Sequence, residues 1–118
     1  NPVVLGPVPH EELPSLVAAA DVFAFPSTKE GFGLAAMEAL AAGVPVVAND
    51  LPVLREVFSG AVTFAATRRE FAAELLACLG RDDVDRAAAG RTLAARHTWD
   101  AAARAHLQLY RRILSRAA

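Results

Sequence analysis

Short apolar runs without charged residues alternate with longer helical stretches, and this alternation constrains the fold more than any other feature. The runs are Val3–Leu5, Val22–Phe25, Val44–Ala48 and Ala61–Phe64. A strand that is apolar at every position is typical of a parallel sheet, because its crossover helices cover both faces. The stretches between the runs are long enough for such crossovers. The sequence therefore predicts an α/β fold with a parallel sheet of about four strands flanked by helices.

Caps and helix breakers delimit the predicted helices. Gly43 fits the left-handed residue that ends a helix, and Thr67 with Glu70 fits a capping box. We expect one domain over 1–118, with a site-bearing part at about 1–79 and C-terminal helices at about 82–116, where Trp99 anchors the last helix. The predicted helices are His10–Ala20, Leu34–Ala42, Pro52–Phe58, a segment from the capping box to about Leu79, 82–96 and Trp99–Arg116.

Size, charge and cysteine content exclude several classes of protein. A chain of 118 residues suits one compact domain. Twelve Lys and Arg residues against 13 Asp and Glu argue against a protein that binds nucleic acid by bulk charge. The single cysteine, Cys78, excludes an internal disulfide framework and a cysteine zinc cluster. No apolar stretch reaches the ~18 uncharged residues of a membrane span, and no signal peptide is visible. We expect a cytoplasmic chain. Because its first residue is Asn1 and not Met, we also expect it to be a piece of a longer protein.

The loop Ser27–Gly33 is the candidate site. It follows a strand and opens a helix, and open α/β sheets bind ligands at the carboxyl ends of their strands. Its two glycines let the backbone approach a ligand, and the free N–H groups of the next helix favour a phosphate. Glu30 lies in the loop and Glu38 on the helix. Two vicinal hydroxyls of a ligand would suit the Glu38 carboxylate; the alternatives are that it points to water or pairs with Arg55.

The run Glu30-Gly-Phe-Gly-Leu-Ala-Ala-Met-Glu38 resembles the E-x7-E motif of retaining glycosyltransferases of the GT-B fold, of the glycosyltransferase family 4 type (group 1). The segments on either side, Ala20–Ser27 and Glu38–Val47, are similar to that family as well. The resemblance implies a partial Rossmann-like domain, the carboxy-terminal donor-binding domain of such an enzyme. The richness in Ala and Arg suggests a bacterial source by coding bias.

The resemblance also implies roles for individual residues. Glu30 would be the catalytic-site carboxylate that accepts hydrogen bonds from hydroxyls of the donor sugar. Glu38 would hold the ribose hydroxyls of the nucleotide. The turn at Gly6–Pro9, with Val8, is similar to the segment that packs against the base. Backbone contacts to the sugar and the diphosphate would come from Gly31, Phe32, Gly33 and Leu34.

The implied reaction transfers a sugar from a nucleoside diphosphate sugar to an acceptor hydroxyl with retention, without a metal or other cofactor. The family's basic Arg/Lys pair and its acceptor-binding N-terminal domain lie upstream, so we expect this chain alone to be inactive. In the complete donor-binding domain of this family the sheet has six strands, and this chain would lack the two at its centre. We therefore expect Val3–Leu5 and the edge of Val22–Phe25 to pair again within the chain or with a second copy, which allows a homodimer. The sequence gives no indication of membrane association.

Several other interpretations remain open. A sugar-nucleotide epimerase shares the fold, and a non-catalytic nucleotide-binding or regulatory α/β domain would share the pattern. Asp83-Val84-Asp85 spells the D-x-D of metal-dependent glycosyltransferases, but acids in a first helical turn are expected from the helix dipole. His10 lies beside the turn expected to contact the base, and we favour a helix cap or a solvated side chain there.

Overall fold

The computed structural model describes residues 1–81 and 83–117 of the chain. Within that part, six helices and three strands form a parallel sheet of order β1-β2-β3. The elements are α1 (Leu13–Ala18), β1 (Phe23–Phe25), α2 (Leu34–Ala41), β2 (Val46–Asn49), α3 (Pro52–Phe58), β3 (Thr63–Ala65), α4 (Arg68–Cys78), α5 (Val84–Arg96) and α6 (Trp99–Ala117). The predicted α/β class, the helical flanks and the helical C-terminus are confirmed.

The middle strand, β2, carries the core of the sheet. Ala24 of β1 lies opposite Val47, and Ala48 lies opposite Phe64 of β3. Val46, Val47 and Ala48 are all buried, although their side chains alternate between the two faces. Burial on both faces is the reason why this run carries no polar residue.

The predicted strand at Val3–Leu5 is wrong, so the sheet of the described residues has three strands instead of four. Val3 is 82% exposed and Val4 is 89% exposed, and no described strand lies beside them. A strand depends on hydrogen bonds from a neighbouring strand, and apolar character alone does not supply them. The expected pairing within the chain therefore does not occur. β1 does lie at the edge of the sheet, and its pairing with a second copy stays a prediction.

Local signals in the sequence match the observed helix ends. Gly43, with φ +78°, follows α2 in the left-handed conformation. The Thr67 hydroxyl accepts a hydrogen bond from the Glu70 N–H at 3.2 Å, and the Glu70 carboxylate accepts one from the Ala66 N–H at 2.7 Å. The predicted capping box is therefore confirmed, with the returning bond one residue earlier than usual.

The helix predicted from residue 82 begins at Val84 in the structure, and residue 82 lies outside the described residues. The Asp83 carboxylate accepts a hydrogen bond from the Arg86 N–H at 3.0 Å and so caps α5. Asp83 is therefore the N-cap of α5, one residue before the first turn in which the sequence analysis places it. Asp85 does lie in the first turn.

Two features place the C-terminal helices. α5 packs closely on α2: the backbone at the buried Gly90 is so near to α2 that an added Cβ would lie 2.9 Å from Leu40 Cδ2. The Thr98 hydroxyl caps α6 by accepting a hydrogen bond from the Ala101 N–H at 3.1 Å. Trp99 is 88% exposed, so the expectation that its ring anchors α6 is wrong.

Among the helices of the described residues, none combines the length and the apolar character that a membrane crossing requires.

Candidate functional site

The start of α2 is held in place by its own backbone. Gly33 is the N-cap of α2 with φ 93° and ψ 51°, a left-handed conformation that favours glycine. Its carbonyl oxygen accepts the first hydrogen bond of the helix, from the Met37 N–H at 3.1 Å. No side chain of the described residues caps this end. The first N–H groups of α2 therefore have no side-chain acceptor, which is the arrangement that suits an anion.

The loop before α2 rests on residues that are distant in sequence. Asn49, at the carboxyl end of β2, donates a hydrogen bond from Nδ2 to the Ser27 carbonyl oxygen at 3.1 Å. On the other side, Gly33 packs so closely on α3 that a Cβ there would lie 2.9 Å from Cε2 of the fully buried Phe58. The sequence analysis did not find either support, since neither residue is near the loop along the chain.

The side chain of Phe32 joins this support. Its ring centroid lies 6.3 Å from that of Phe58 and 5.4 Å from that of His97, and the planes of both neighbouring rings are tilted relative to the Phe32 ring. Phe32 is half-buried, whereas the preceding Gly31 is exposed. The ring therefore anchors the loop to the core and to the junction of α5 and α6, while Gly31 stays exposed and Gly33 is buried.

A cleft of about 540 Å³ lies between α1 and α2 and carries Glu38 on its wall. This volume is within the usual range of small-molecule sites, about 300–1,000 Å³. Apart from His10 and Glu38, the lining is apolar. The lining residues are His10, Leu13, Pro14, Val17, Ala18, Glu38, Ala41 and Ala42. The structure thus brings His10 to the same cleft as Glu38, whereas α1 has Glu12 at its N-cap position.

Glu38 is exposed, and no described residue donates a hydrogen bond or forms an ion pair with it. Arg55, its possible partner in the sequence analysis, pairs with Asp50 instead. Arg55 Nη2 lies 2.8 Å from Asp50 Oδ2, and a second bond joins Nε to Oδ1. The guanidinium also lies 4.8 Å from the centroid of the Phe64 ring. Hydrogen bonding by Arg55 lowers the pKa of the Asp50 carboxyl.

The other predicted site residues lie around α2 without sharing its cleft. Glu30 is half-buried in the loop and does not line that cleft. Leu34, the first residue of α2, is 65% exposed. Val8 lines a separate shallow groove with the N-terminal face of α1. The roles given to these residues, including those of Gly31 and Gly33, stay predictions.

A metal-binding cluster is not apparent in the part of the chain that the structure describes. No three His, Cys, Asp or Glu side chains converge there. The expectation that the reaction needs no metal rests on the resemblance and stays a prediction.

Comparison with known proteins extends over nearly the whole chain. The family described as "Glycosyl transferases group 1" matches residues 1–105. A D-inositol 3-phosphate glycosyltransferase of Corynebacterium urealyticum is 40% identical over 113 residues, which cover 91% of this chain and 27% of the relative. One of Nocardioides sp. is 41% identical over 120 residues, covering 95% of this chain and 26% of the relative.

Another relative matches a shorter segment of the chain with a higher percentage of identical residues. The O-antigen chain mannosyltransferase B of Escherichia coli is 53% identical over 57 residues, which cover 48% of this chain and 15% of that protein. The chain spans about a quarter of the length of the two D-inositol 3-phosphate glycosyltransferases. Because the family pattern covers most of the 118 residues, the chain belongs to the group 1 glycosyl transferases.

Proposed function

We propose that this chain forms the donor-binding part of a glycosyltransferase that transfers a sugar from a nucleoside diphosphate sugar to an acceptor hydroxyl with retention. Family membership supports sugar transfer in general, and three relatives are named as transferases of sugars. The single observation that carries the donor assignment is Glu38, an exposed carboxylate without a protein partner among the described residues, on the wall of a cleft of about 540 Å³.

The cleft suits a nucleoside. Its walls are apolar, which favours a flat heterocyclic base, and its polar side chains are those of His10 and Glu38. The Glu38 carboxylate accepts hydrogen bonds from both hydroxyls of a ribose, because each oxygen has free lone pairs. In this arrangement the base lies toward α1 and the ribose toward α2.

The start of α2 suits the diphosphate. Glu38 is the fifth residue of α2, so the uncapped N–H groups of the first turn lie about one helical turn away. These groups and the helix dipole stabilise the charge that grows on the leaving diphosphate. Glu30, three residues before the N-cap, then accepts hydrogen bonds from the sugar. The reaction as proposed uses no metal ion.

Binding of the donor depends on Glu38. The change Glu38→Gln keeps the size of the side chain but removes its charge and one acceptor. We expect it to weaken the binding of a nucleoside diphosphate sugar about tenfold or more, because hydrogen bonds to a charged group are worth about 1.5–3 kcal/mol. Saturation-transfer NMR with UDP-glucose, GDP-mannose and ADP-glucose measures the binding and shows which ligand protons touch the protein.

A matched change controls for the loss of one negative charge. Glu56 is also exposed but lies on α3 and does not line the cleft, so Glu56→Gln is expected to leave the affinity within about twofold. The donor assignment fails if none of the three sugars receives saturation from the unchanged chain. It also fails if Glu38→Gln and Glu56→Gln behave alike.

The 118 residues are expected to bind the donor without transferring the sugar, since they span about a quarter of their relatives' length. An assay with radiolabelled donor sugar and a mixture of hydroxylated acceptors measures this directly. Transfer above the level of a Glu30→Gln, Glu38→Gln double variant would show that the chain is catalytically sufficient, contrary to the proposal.

A further inference from the structure

We infer that His97 is a positioning residue for the donor-binding loop Glu30–Gly33, an inference that rests on the proposed function of that loop. His97 lies 65 positions after Phe32 in the chain, yet its ring packs on that of Phe32 with centroids 5.4 Å apart. Contacts between tilted aromatic rings are favourable beyond the apolar area that they bury. The loop therefore receives support from the junction of α5 and α6 as well as from the core.

The His97 ring is itself held in a fixed orientation. Nδ1 lies 3.0 Å from the Leu93 carbonyl oxygen, and because a carbonyl can only accept, Nδ1 carries the proton of this hydrogen bond. The His97 backbone N–H donates to the Ala94 carbonyl oxygen at 3.0 Å. Both acceptors belong to the last turns of α5, so the imidazole is attached to the end of that helix.

The helix that carries His97 is fixed on α2. Gly90 is buried, and its backbone approaches Leu40 so closely that a Cβ would lie 2.9 Å from Leu40 Cδ2. His97 therefore keeps its position relative to α2, and the ring it supports lies in the loop that opens α2. A series of contacts therefore links α2 to its own start: α2 packs on α5, the end of α5 holds His97, and His97 contacts Phe32 in the loop before α2.

The Phe32 ring contacts two rings of different character. Phe58 is fully buried, so its ring is held by the core, whereas His97 lies on the exposed side. Without the imidazole, the Phe32 ring loses one of its two aromatic neighbours, so it is expected to be held less firmly. Gly31 and Gly33 flank Phe32, so the backbone proposed to meet the sugar and the diphosphate would move with it.

Three variants separate the ring contact from other effects. His97→Ala removes the ring, and His97→Phe keeps an aromatic ring while losing the hydrogen bond to Leu93. His106→Ala is the matched control: His106 is exposed, its Nδ1 lies 2.8 Å from the Ala102 carbonyl oxygen, and its ring lies 6.2 Å from that of Tyr110. It has the same local chemistry on α6, but its aromatic partner is not in the loop.

The first measurement compares two ligands by NMR titration: the nucleoside diphosphate sugar that binds best and its free nucleoside. The nucleoside reaches the Glu38 cleft, whereas the full donor also reaches the loop. His97→Ala is expected to weaken donor binding about twofold to tenfold, the usual worth of an aromatic pair, and to leave the nucleoside unchanged. His97→Phe is expected to restore donor binding, and His106→Ala to leave both ligands unaffected. A general loss of stability would weaken both ligands alike.

The second measurement needs no ligand. Met37 N–H bonds to the Gly33 carbonyl oxygen, and Ala42 N–H bonds to the Glu38 carbonyl oxygen, both at 3.1 Å. In His97→Ala, amide hydrogen exchange is expected to become faster at Met37 than in the unchanged chain, while Ala42 at the far end of α2 keeps its rate.

The outcomes distinguish this inference from the proposed function. If the unchanged chain binds neither ligand, the proposed function fails and His97 loses its role in donor binding, whatever the exchange at Met37. If the chain binds the donor and Glu38→Gln weakens it, but His97→Ala changes neither the donor-to-nucleoside ratio nor the exchange at Met37, the positioning role is overturned alone. Failure of His97→Phe to restore binding would also overturn it, because the ring contact would then not be the cause.

Discussion

Replacing Phe58 by alanine is expected to lower the free energy of unfolding by about 3–5 kcal/mol, the usual cost of removing a buried phenyl ring. Phe58 is fully buried, and its ring lies directly beneath Gly33 and beside Phe32. The change therefore opens a cavity beneath the loop Glu30–Gly33, which is proposed to bind the donor. A small domain has about 5–15 kcal/mol of stability in total, so this single change removes a large part of it.

Urea denaturation followed by circular dichroism measures the effect of Phe58→Ala. Trp99→Ala is the control, since it removes a larger apolar side chain that is 88% exposed and is expected to change the stability by less than about 0.5 kcal/mol. If Phe58→Ala does not fold, Phe58→Leu keeps most of the volume and is expected to lose less. A loss for Phe58→Ala no greater than for Trp99→Ala would contradict the packing described above.

Replacing Gly33 by alanine is expected to cost about 2–4 kcal/mol, because two penalties act together. The φ of +93° is unfavourable for any residue with a Cβ. The new Cβ would also lie 2.9 Å from Phe58 Cε2 and 3.3 Å from Leu54 Cδ2, and both of these side chains are fully buried. Buried side chains yield only at a cost in packing, so the start of α2 is expected to shift and donor binding to weaken with it.

Two other glycines separate the penalties. Gly31, in the same loop, has neither a positive φ nor an atom within 4 Å of its Cβ position, and Gly31→Ala is expected to be neutral or slightly stabilising. Gly60 has a φ of +82° but open space around it, so Gly60→Ala is expected to cost about 1–2 kcal/mol, the backbone penalty alone. The loss of stability should be largest for Gly33→Ala, intermediate for Gly60→Ala and smallest for Gly31→Ala. Equal losses for Gly33→Ala and Gly60→Ala would show that the contact with Phe58 carries no cost.

Local features of the fold were predictable from the sequence because their causes lie within a few residues. The helix at Pro52–Phe58 has the bounds that the sequence predicts. The left-handed residue at Gly43 and the capping box at Thr67 also follow from residue types at fixed spacing. The parallel sheet followed from unbroken apolar runs, which are typical of strands covered by helices on both faces. Membership of the family was likewise visible in the E-x7-E run and its surroundings, which lie within the matched residues 1–105.

The contacts that shape the candidate site could not be predicted in this way. The sequence shows that Glu38 follows Glu30 by eight positions, across the end of a loop and about one helical turn. It does not show that His10 lines the same cleft as Glu38. It offers Arg55 as a partner for Glu38, whereas the structure pairs Arg55 with Asp50. The support of Phe32 by His97, and of the Ser27 carbonyl by Asn49, joins residues that are 65 and 22 positions apart.

The sequence by itself determined which segments become helices and that the strands run parallel, since these properties follow from side-chain periodicity and local hydrogen bonding. Helix ends were correct where a cap marks them, but the helix predicted at His10–Ala20 covers only Leu13–Ala18. The tertiary structure decided the rest. Val3–Leu5 has the composition of a strand and is not one, because strand formation depends on a neighbour that composition cannot specify. For the same reason the positions of His10, Asn49 and His97 around α2 emerged only from the packing of distant elements.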